Sequence, residues 1–265
     1  MHFAEMLKTQ LCQWDKKPCF VTAFNSTPGT QIIAQFQSLL KYQFNNEALV
    51  LQALSHRSFI HEIPENFQFH DNERLEFLGD SLLGTYVSTK LFRELPSASE
   101  GELSKLRGAI VNEKRLYELS KIINLSEYIL VGRGELSQDG HLSSSKLSDT
   151  FEAIIAAIYL DSNIQKSFEF LDMVVGKYQD SFGDLFTTDI LFEFDPKSML
   201  QEQTMALYKE LPVYQVEEKD EVDSKFFISV LIKGTVVESG HFSSKKKGTA
   251  ELAKSIIEGK KYLNI

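Results

Sequence analysis

The sequence predicts a mainly α-helical N-terminal domain followed by a small α+β domain of order α-β-β-β-α, and three observations carry that expectation. Residues 72–81 read Asn72-Glu-Arg-Leu-Glu-Phe-Leu-Gly-Asp-Ser81. At 100° per residue, Glu73, Glu76 and Asp80 fall within about 60° of one another, while Leu75, Leu78 and Leu82 cluster on the opposite side. Residues 146–161 are apolar nearly all round after their first turn, the pattern of a buried helix. After Asp195 a helical stretch gives way to three strand-like runs and a closing helix.

Taken alone, three acids on one helix face are accounted for by a solvated stripe. The second helix changes that reading, because Asp149 and Glu152 stand at i and i+3 at its leading end. An isolated ionised carboxylate taken out of water costs many kcal/mol unless a partner or a metal compensates. If the two acid-bearing helices pack side by side, Glu76, Asp80, Asp149 and Glu152 form an all-oxygen, anionic ligand set. Such a set suits Mg²⁺ or Mn²⁺ better than zinc or copper. The chemistry it supports is displacement at phosphorus.

The run from Asn72 to Ser81, the block Asp149-Thr-Phe-Glu-Ala153 and the separation between them resemble the nuclease domain of the ribonuclease III family, in its bacterial form with one nuclease domain and one C-terminal double-stranded RNA-binding domain. Ala53-Leu-Ser-His-Arg-Ser58, Glu100-Gly-Glu-Leu-Ser-Lys-Leu-Arg107 and Gly132-Arg-Gly-Glu135 resemble further family motifs in the family's order. The resemblance implies an all-helical endonuclease fold over residues 31–182, with metal ligands on Glu76, Asp80, Asp149 and Glu152. It implies catalytic roles for Glu73, Asp80, Glu100 and Glu152, with Glu73 and Glu100 orienting waters or the entering strand. Two Mg²⁺ ions are the implied cofactors, with Mn²⁺ as a substitute, one activating water and the other stabilising the departing 3′-oxygen.

The implied reaction is hydrolysis of both strands of double-stranded RNA, leaving 5′-phosphate and 3′-hydroxyl ends with short 3′ overhangs, in the processing of ribosomal-RNA precursors and other RNAs. A homodimer is implied too, since one nuclease domain carries one site and cutting both strands needs two sites related by a twofold axis. Two departures lie beside the ligands: Lys146 stands where an aliphatic residue is more usual, and Ser148 where a small apolar one is. An extra cation at the second acid pair is expected to tune metal affinity.

Residues 183–194 read as a linker, and the second domain occupies 195–265. Pro196 suits the first position of an amphipathic helix that Pro212 terminates. Strands are expected at 213–217, 225–232 and 236–239, the last two joined by a tight turn at Lys233-Gly234, and a helix at about 247–262. This order resembles a double-stranded RNA-binding domain, which reads A-form RNA by shape. Ser243-Ser-Lys-Lys-Lys247 puts Lys245, Lys246 and Lys247 where side-chain charge and unpaired helix N–H groups both favour phosphate. The resemblance carries RNA-facing positions onto Ser198, Gln201 and Glu202. The loop 219–225 departs from the family: Val222 replaces its usual histidine, and three acids there would repel phosphate.

Composition sets limits. The chain has 265 residues, 43% of them hydrophobic, enough for two modest cores. The formal charge of −9 argues against a non-specific nucleic-acid binder, yet from Asp195 onward 11 Lys and Arg balance 11 Asp and Glu. The acidity therefore belongs to the nuclease portion, and RNA binding must depend on local patches. Cys12 and Cys19 match no zinc-ribbon spacing, and so low a count suits a reducing cytoplasm. Charges at Glu5, Lys8, Asp15, Lys16 and Lys17 interrupt any signal or membrane-spanning pattern. Residues 1–30 read as an extension with no assigned role.

A di-iron carboxylate bundle would need Glu-x-x-His on two helices. The one such spacing, Glu238-Ser-Gly-His241, sits where a strand-like run passes into a loop and has Gly240 inside it, which rejects it. A non-catalytic RNA-binding dimer built on the same scaffold is the other alternative; loss of acids would mark it, and none is lost. Phe77, Leu78, Leu82, Phe151, Ile154, Ile155 and Ile158 are expected in the core, and His56 in a local hydrogen bond at a helix end. Arg107 suits either a neighbouring acid or RNA, while Lys105 and Asn112 are weaker RNA-contact candidates.

Overall fold

The computed structural model describes residues 29–63, 69–135, 142–217, 225–263 and 265. The chain divides into two units, Met1–Phe186 and Thr187–Ile265. Cys12, Cys19 and the rest of residues 1–28, and Val222 with the loop 218–224, lie outside the described residues.

The first unit is helical, with α1 (Gly29–Leu40), α2 (Glu47–Leu54), the single turn α3 (Arg57–Ile60), α4 (Glu73–Glu94), α5 (Glu100–Ile110), α6 (Glu113–Ile122), α7 (Ser144–Asp161) and α8 (Ile164–Phe182). Helix α7 is the axis. Its residues Phe151 and Ala153 through Ile158 are wholly shielded from solvent, and α2, α4, α6 and α8 all pack on it. Being apolar on every side, α7 is stable only where other helices surround it. Its C-terminal Asp161 accepts hydrogen bonds from the Tyr42 hydroxyl at 2.7 Å and the Asn46 amide at 2.8 Å, tying the approach to α2 onto α7.

Local sequence explains the ends of the helices that bear acids. Helix α5 opens with a capping box in which Ser99 Oγ accepts from the Glu102 amide and Glu102 Oε2 accepts from the Ser99 amide. Asn72 precedes α4 but makes no side-chain cap; it is buried, and its Nδ2 donates to the Ala53 carbonyl at 3.3 Å and to Thr150 Oγ1 at 3.2 Å. One amide thus joins α2, α4 and α7 at the point where the acidic face begins.

The second unit contains α9 (Ile190–Phe194), α10 (Pro196–Tyr208), β1 (Val213–Val216), β2 (Phe226–Ile232), β3 (Thr235–Phe242) and α11 (Lys245–Glu258). The sheet is antiparallel in the order β1-β2-β3. Leu200 of α10, Ile228, Val230 and Ile232 of β2, and Leu252, Ala253, Ile256 and Ile257 of α11 form its core. Pro196 holds the first helical position, with Asp195 Oδ1 accepting from the Ser198 amide. Lys233 and Gly234 both have positive φ, 51° and 76°, as a two-residue hairpin turn with the twist of the strands requires.

Several boundaries differ from the sequence expectation. Helix α10 stops at Tyr208 because Lys209 turns left-handed, four residues ahead of Pro212. Strand β3 continues through Gly240 to Phe242, its extra residues pairing with Phe226 through Ile228. Helix α11 accordingly begins at Lys245 and ends at Glu258, and α9 interrupts the stretch read as a linker.

Candidate active site

Glu76 and Asp80 reach the cleft from α4, and Asp149 and Glu152 from α7, the helix on which α4 packs most extensively. The contact is intimate because Gly79 has no side chain: a Cβ there would lie 1.9 Å from the Glu152 carbonyl oxygen. Helix backbones that touch without an intervening side chain bring flanking residues on both helices to the same cleft. The glycine lies between the two α4 acids and opposite one of the α7 acids.

The electrostatics record the convergence. Burial pushes the Glu152 carboxyl up to about 8, and the nearby charges of Asp80, Glu76 and Asp149 push in the same direction. Glu76 is raised by burial and then by Asp149, Glu73 and Asp80. Asp149 is raised by burial, an effect opposed by a hydrogen bond from Ser148 and by the charge of Lys146. The charges that raise Glu76 and Glu152 come from the neighbouring acids, and an oxygen-only anionic set of this kind suits a hard divalent ion. The donor chemistry therefore fits magnesium or manganese. Among the described residues no three such side chains close into a finished ligand cage, so the acids border an open cleft.

The other expected residues take different places. Glu73 belongs to the same electrostatic group but is exposed, paired with Arg57 at 3.2 Å. Glu100 is the exposed first residue of α5 and is not among the charges that shift Glu76, Asp149 or Glu152. Phe151, Ile154, Ile155, Ile158 and Leu82 are buried as expected, and Leu78 is half-buried. Phe77 is not: it is 78% exposed, because it follows Glu76 on the side of α4 turned away from α7. His56 caps α3, accepting from the Ser58 amide, and its Nδ1 lies 2.7 Å from Ser58 Oγ. Ser58 Oγ in turn accepts from the Gly132 amide at 2.9 Å, so two of the recognised motifs meet there.

Two cavities flank the acids. One, of about 410 Å³, is walled by Glu76 and Asp149 together with His56, Arg57, Glu135 and Lys146. The other, of about 500 Å³, lies between α4 and α5 and is lined by Asp80, Arg107 and a stripe of hydroxyl-bearing residues, Ser81, Thr85 and Ser88. The sequence reading had not identified Arg57, Glu135, Gly79 or the hydroxyl stripe as parts of the site. The i, i+4, i+7 spacing of Ser81, Thr85 and Ser88 on the acidic helix was the available signal.

In the second unit Lys245, Lys246 and Lys247 are exposed in the first turn of α11, whose N-cap Ser244 makes no side-chain cap bond. Lys245 Nζ also lies 4.9 Å from the centre of the Phe226 ring, which restrains its stem. Ser198 and Gln201 are half-exposed and Glu202 is exposed on α10, which packs beside α11.

Residues 46–177 match the family model described as Ribonuclease-III-like. The chain is 41% identical over 238 residues to Ribonuclease 3 of Syntrophobacter fumaroxidans, covering 83% of this chain and 93% of that one. It is 37% identical over 227 residues to Ribonuclease 3 of Aliarcobacter butzleri, covering 85% and 96%. A solved nuclease domain of ribonuclease III from Campylobacter jejuni, described as flexible in a region involved in dimer formation, is similar with a TM-score of 0.50 and 35% identity, covering 57% of this chain and 98% of that one.

Proposed function

We propose that this chain, which belongs to the ribonuclease III family, hydrolyses both strands of double-stranded RNA with Mg²⁺ at Glu76, Asp80, Asp149 and Glu152. Mn²⁺ is a competent substitute. The observation that carries the reading is the meeting of those four carboxylates from two helices held in backbone contact at Gly79.

When bound, the divalent ions supply an activated water and charge neutralisation at the departing 3′-oxygen, giving 5′-phosphate and 3′-hydroxyl ends with short 3′ overhangs. The chain's own residues hold those ions and exclude alternatives. Glu152, nearly enclosed, is the ligand whose charge most needs a cation. In this reading Glu73 and Glu100 orient water or the incoming strand. Lys245, Lys246 and Lys247 grip phosphates at the open end of α11, and Ser198, Gln201 and Glu202 meet ribose hydroxyls.

The working form is a homodimer, each copy cutting one strand. The exposed Phe77 ring, beside the acids on α4, supports this, because a second copy would bury it. Among the described residues no helix is long and apolar enough to cross a membrane, and we place the enzyme in the cytoplasm, maturing ribosomal-RNA precursors and other duplex RNAs.

The test is cleavage of an end-labelled RNA duplex with and without Mg²⁺, beside Glu152→Ala. Metal-dependent staggered cuts on both strands, absent in the variant, are expected. Duplex binding without cutting in any divalent metal would instead leave a non-catalytic RNA-binding dimer.

A further inference from the structure

We infer that Lys146 is a tethered counter-cation of the carboxylate cleft, held back from Asp149 and Glu76 by Glu135 and Ser143, and that the tether sets how tightly the cleft takes up a divalent ion. The inference rests on the magnesium reading above and concerns this chain's own residues.

Lys146 lies in the first turn of α7, one turn before Asp149. Its Nζ is 2.9 Å from Glu135 Oε2 and donates to Ser143 Oγ at 3.2 Å. The pair is not an ordinary surface bridge: the Lys146 side chain is only 17% exposed, and both partners wall the cavity that Glu76 and Asp149 also line. An ammonium only 17% exposed is less screened by solvent and salt than one on an open surface. Its field reaches the ligands, since it lowers the pKa of Asp149 against the rise that burial imposes. Arg57, in the same wall, is engaged by Glu73.

Lysine carries a compact charge on a flexible stem, so a small swing moves it between Glu135 and Asp149. Drawn back on Glu135, it leaves the carboxylates free for a divalent ion. Swung forward, it offsets their mutual repulsion and competes with that ion. Glu135 acts through Lys146 and is a positioning residue.

The experiment is calorimetric titration of Mg²⁺ into the full chain without RNA, so the readout is independent of cleavage. Lys146→Met should tighten Mg²⁺ binding on the order of tenfold, as removal of a nearby unit charge from a weakly screened cleft requires. Lys146→Gln, whose polar side chain guards against a folding defect of the first variant, should tighten it as well. Glu135→Gln should weaken binding in the wild-type background and have little effect when combined with Lys146→Met.

Equal Mg²⁺ affinity in wild type, Lys146→Met and Lys146→Gln, with normal melting curves, would overturn the inference and leave the magnesium site standing. Equal weakening by Glu135→Gln in both backgrounds would overturn the tether. Absence of saturable Mg²⁺ binding in the wild type and every variant would overturn the magnesium site itself and the inference with it.

Discussion

Gly79 on α4 meets the Glu152 carbonyl on α7 so closely that a methyl group at Gly79 would sit 1.9 Å from that oxygen. Backbone cannot retreat as a flexible side-chain tip can, so Gly79→Ala must separate the helices. Alanine gains about 1 kcal/mol of helix propensity over glycine, but overpacking a rigid contact costs about 3 kcal/mol. The variant should melt well below wild type and lose most cleavage, because Glu76 and Asp80 move off with α4. Gly84, on the same helix, has nothing within 4 Å of its would-be Cβ. Gly84→Ala should therefore match or exceed the wild-type melting temperature, and equal melting of both variants would refute the account of the helix crossing.

The raised carboxyl of Glu152 predicts a pH dependence of the metal-free protein. Its folded-state pKa of about 8 lies above the unfolded value of 4.5, so between those values the native state binds more protons than the unfolded chain. Stability from this group is fully present below pH 4.5 and lost as pH rises through 8. Glu76 and Asp149, also raised, act with the same sign. Thermal melts in a chelator should show the melting temperature falling from pH 5 to pH 8. Glu152→Gln should flatten the fall and stabilise the metal-free protein at pH 8, and saturating Mg²⁺ should do likewise for the wild type. A wild-type curve that rises over this range would contradict the burial of an unpaired carboxylate.

The two acid-bearing helices were legible because helical periodicity is local: the spacing of Glu76 and Asp80, and of Asp149 and Glu152, already fixes which face each side chain takes. The α-β-β-β-α order of the second unit was legible for the same reason, through Pro196, the Lys233-Gly234 turn and the strand-like runs on either side of that turn. What escaped depends on partners distant in sequence. Phe77 reads as a core residue by type, and only the packing of α4 on α7 shows it facing outward. The role of Gly79 depends on its contact with the Glu152 backbone on another helix. Asn72 donates its amide to Ala53 and Thr150, partners 19 and 78 residues away that local periodicity does not bring into view. Strand β3 outran its expected end because Gly240 reads as a breaker, although an antiparallel partner supplies the pairing that propensity does not.

Lys245 and Lys246 make a prediction specific to the second unit. Both open α11 and neither contributes to its core, so Lys245→Ala with Lys246→Ala should leave the fold intact. Each lost phosphate contact removes about 0.9 from the slope of log affinity against log salt on a duplex. The double variant should bind a short RNA duplex more weakly at low salt, with a slope shallower by about 2 if both lysines touch phosphate. A shallower slope by about 1 would mean that Lys245 remains on the Phe226 ring, where its Nζ already lies 4.9 Å from the centroid. An unchanged slope would remove α11 from the RNA surface.

Phe77 carries the dimer prediction. A ring 78% exposed beside three carboxylates gains nothing in a monomer, whereas burying an aromatic side chain between two copies contributes about 2 kcal/mol per ring. A twofold interface contains each residue twice, so Phe77→Ala should cost about 4 kcal/mol of association free energy, close to a thousandfold in the dissociation constant. Sedimentation equilibrium should then show a wild-type dimer and a Phe77→Ala monomer at micromolar concentration. Phe92, equally prominent at 73% exposed but near the far end of α4, is the control, and Phe92→Ala should leave the dimer unchanged. In the duplex assay the Phe77→Ala monomer should nick single strands in preference to making staggered double cuts, because each copy holds one carboxylate cleft. Double cuts at the wild-type ratio from a sedimenting monomer would show that one chain reaches both strands, and the dimer reading would fall.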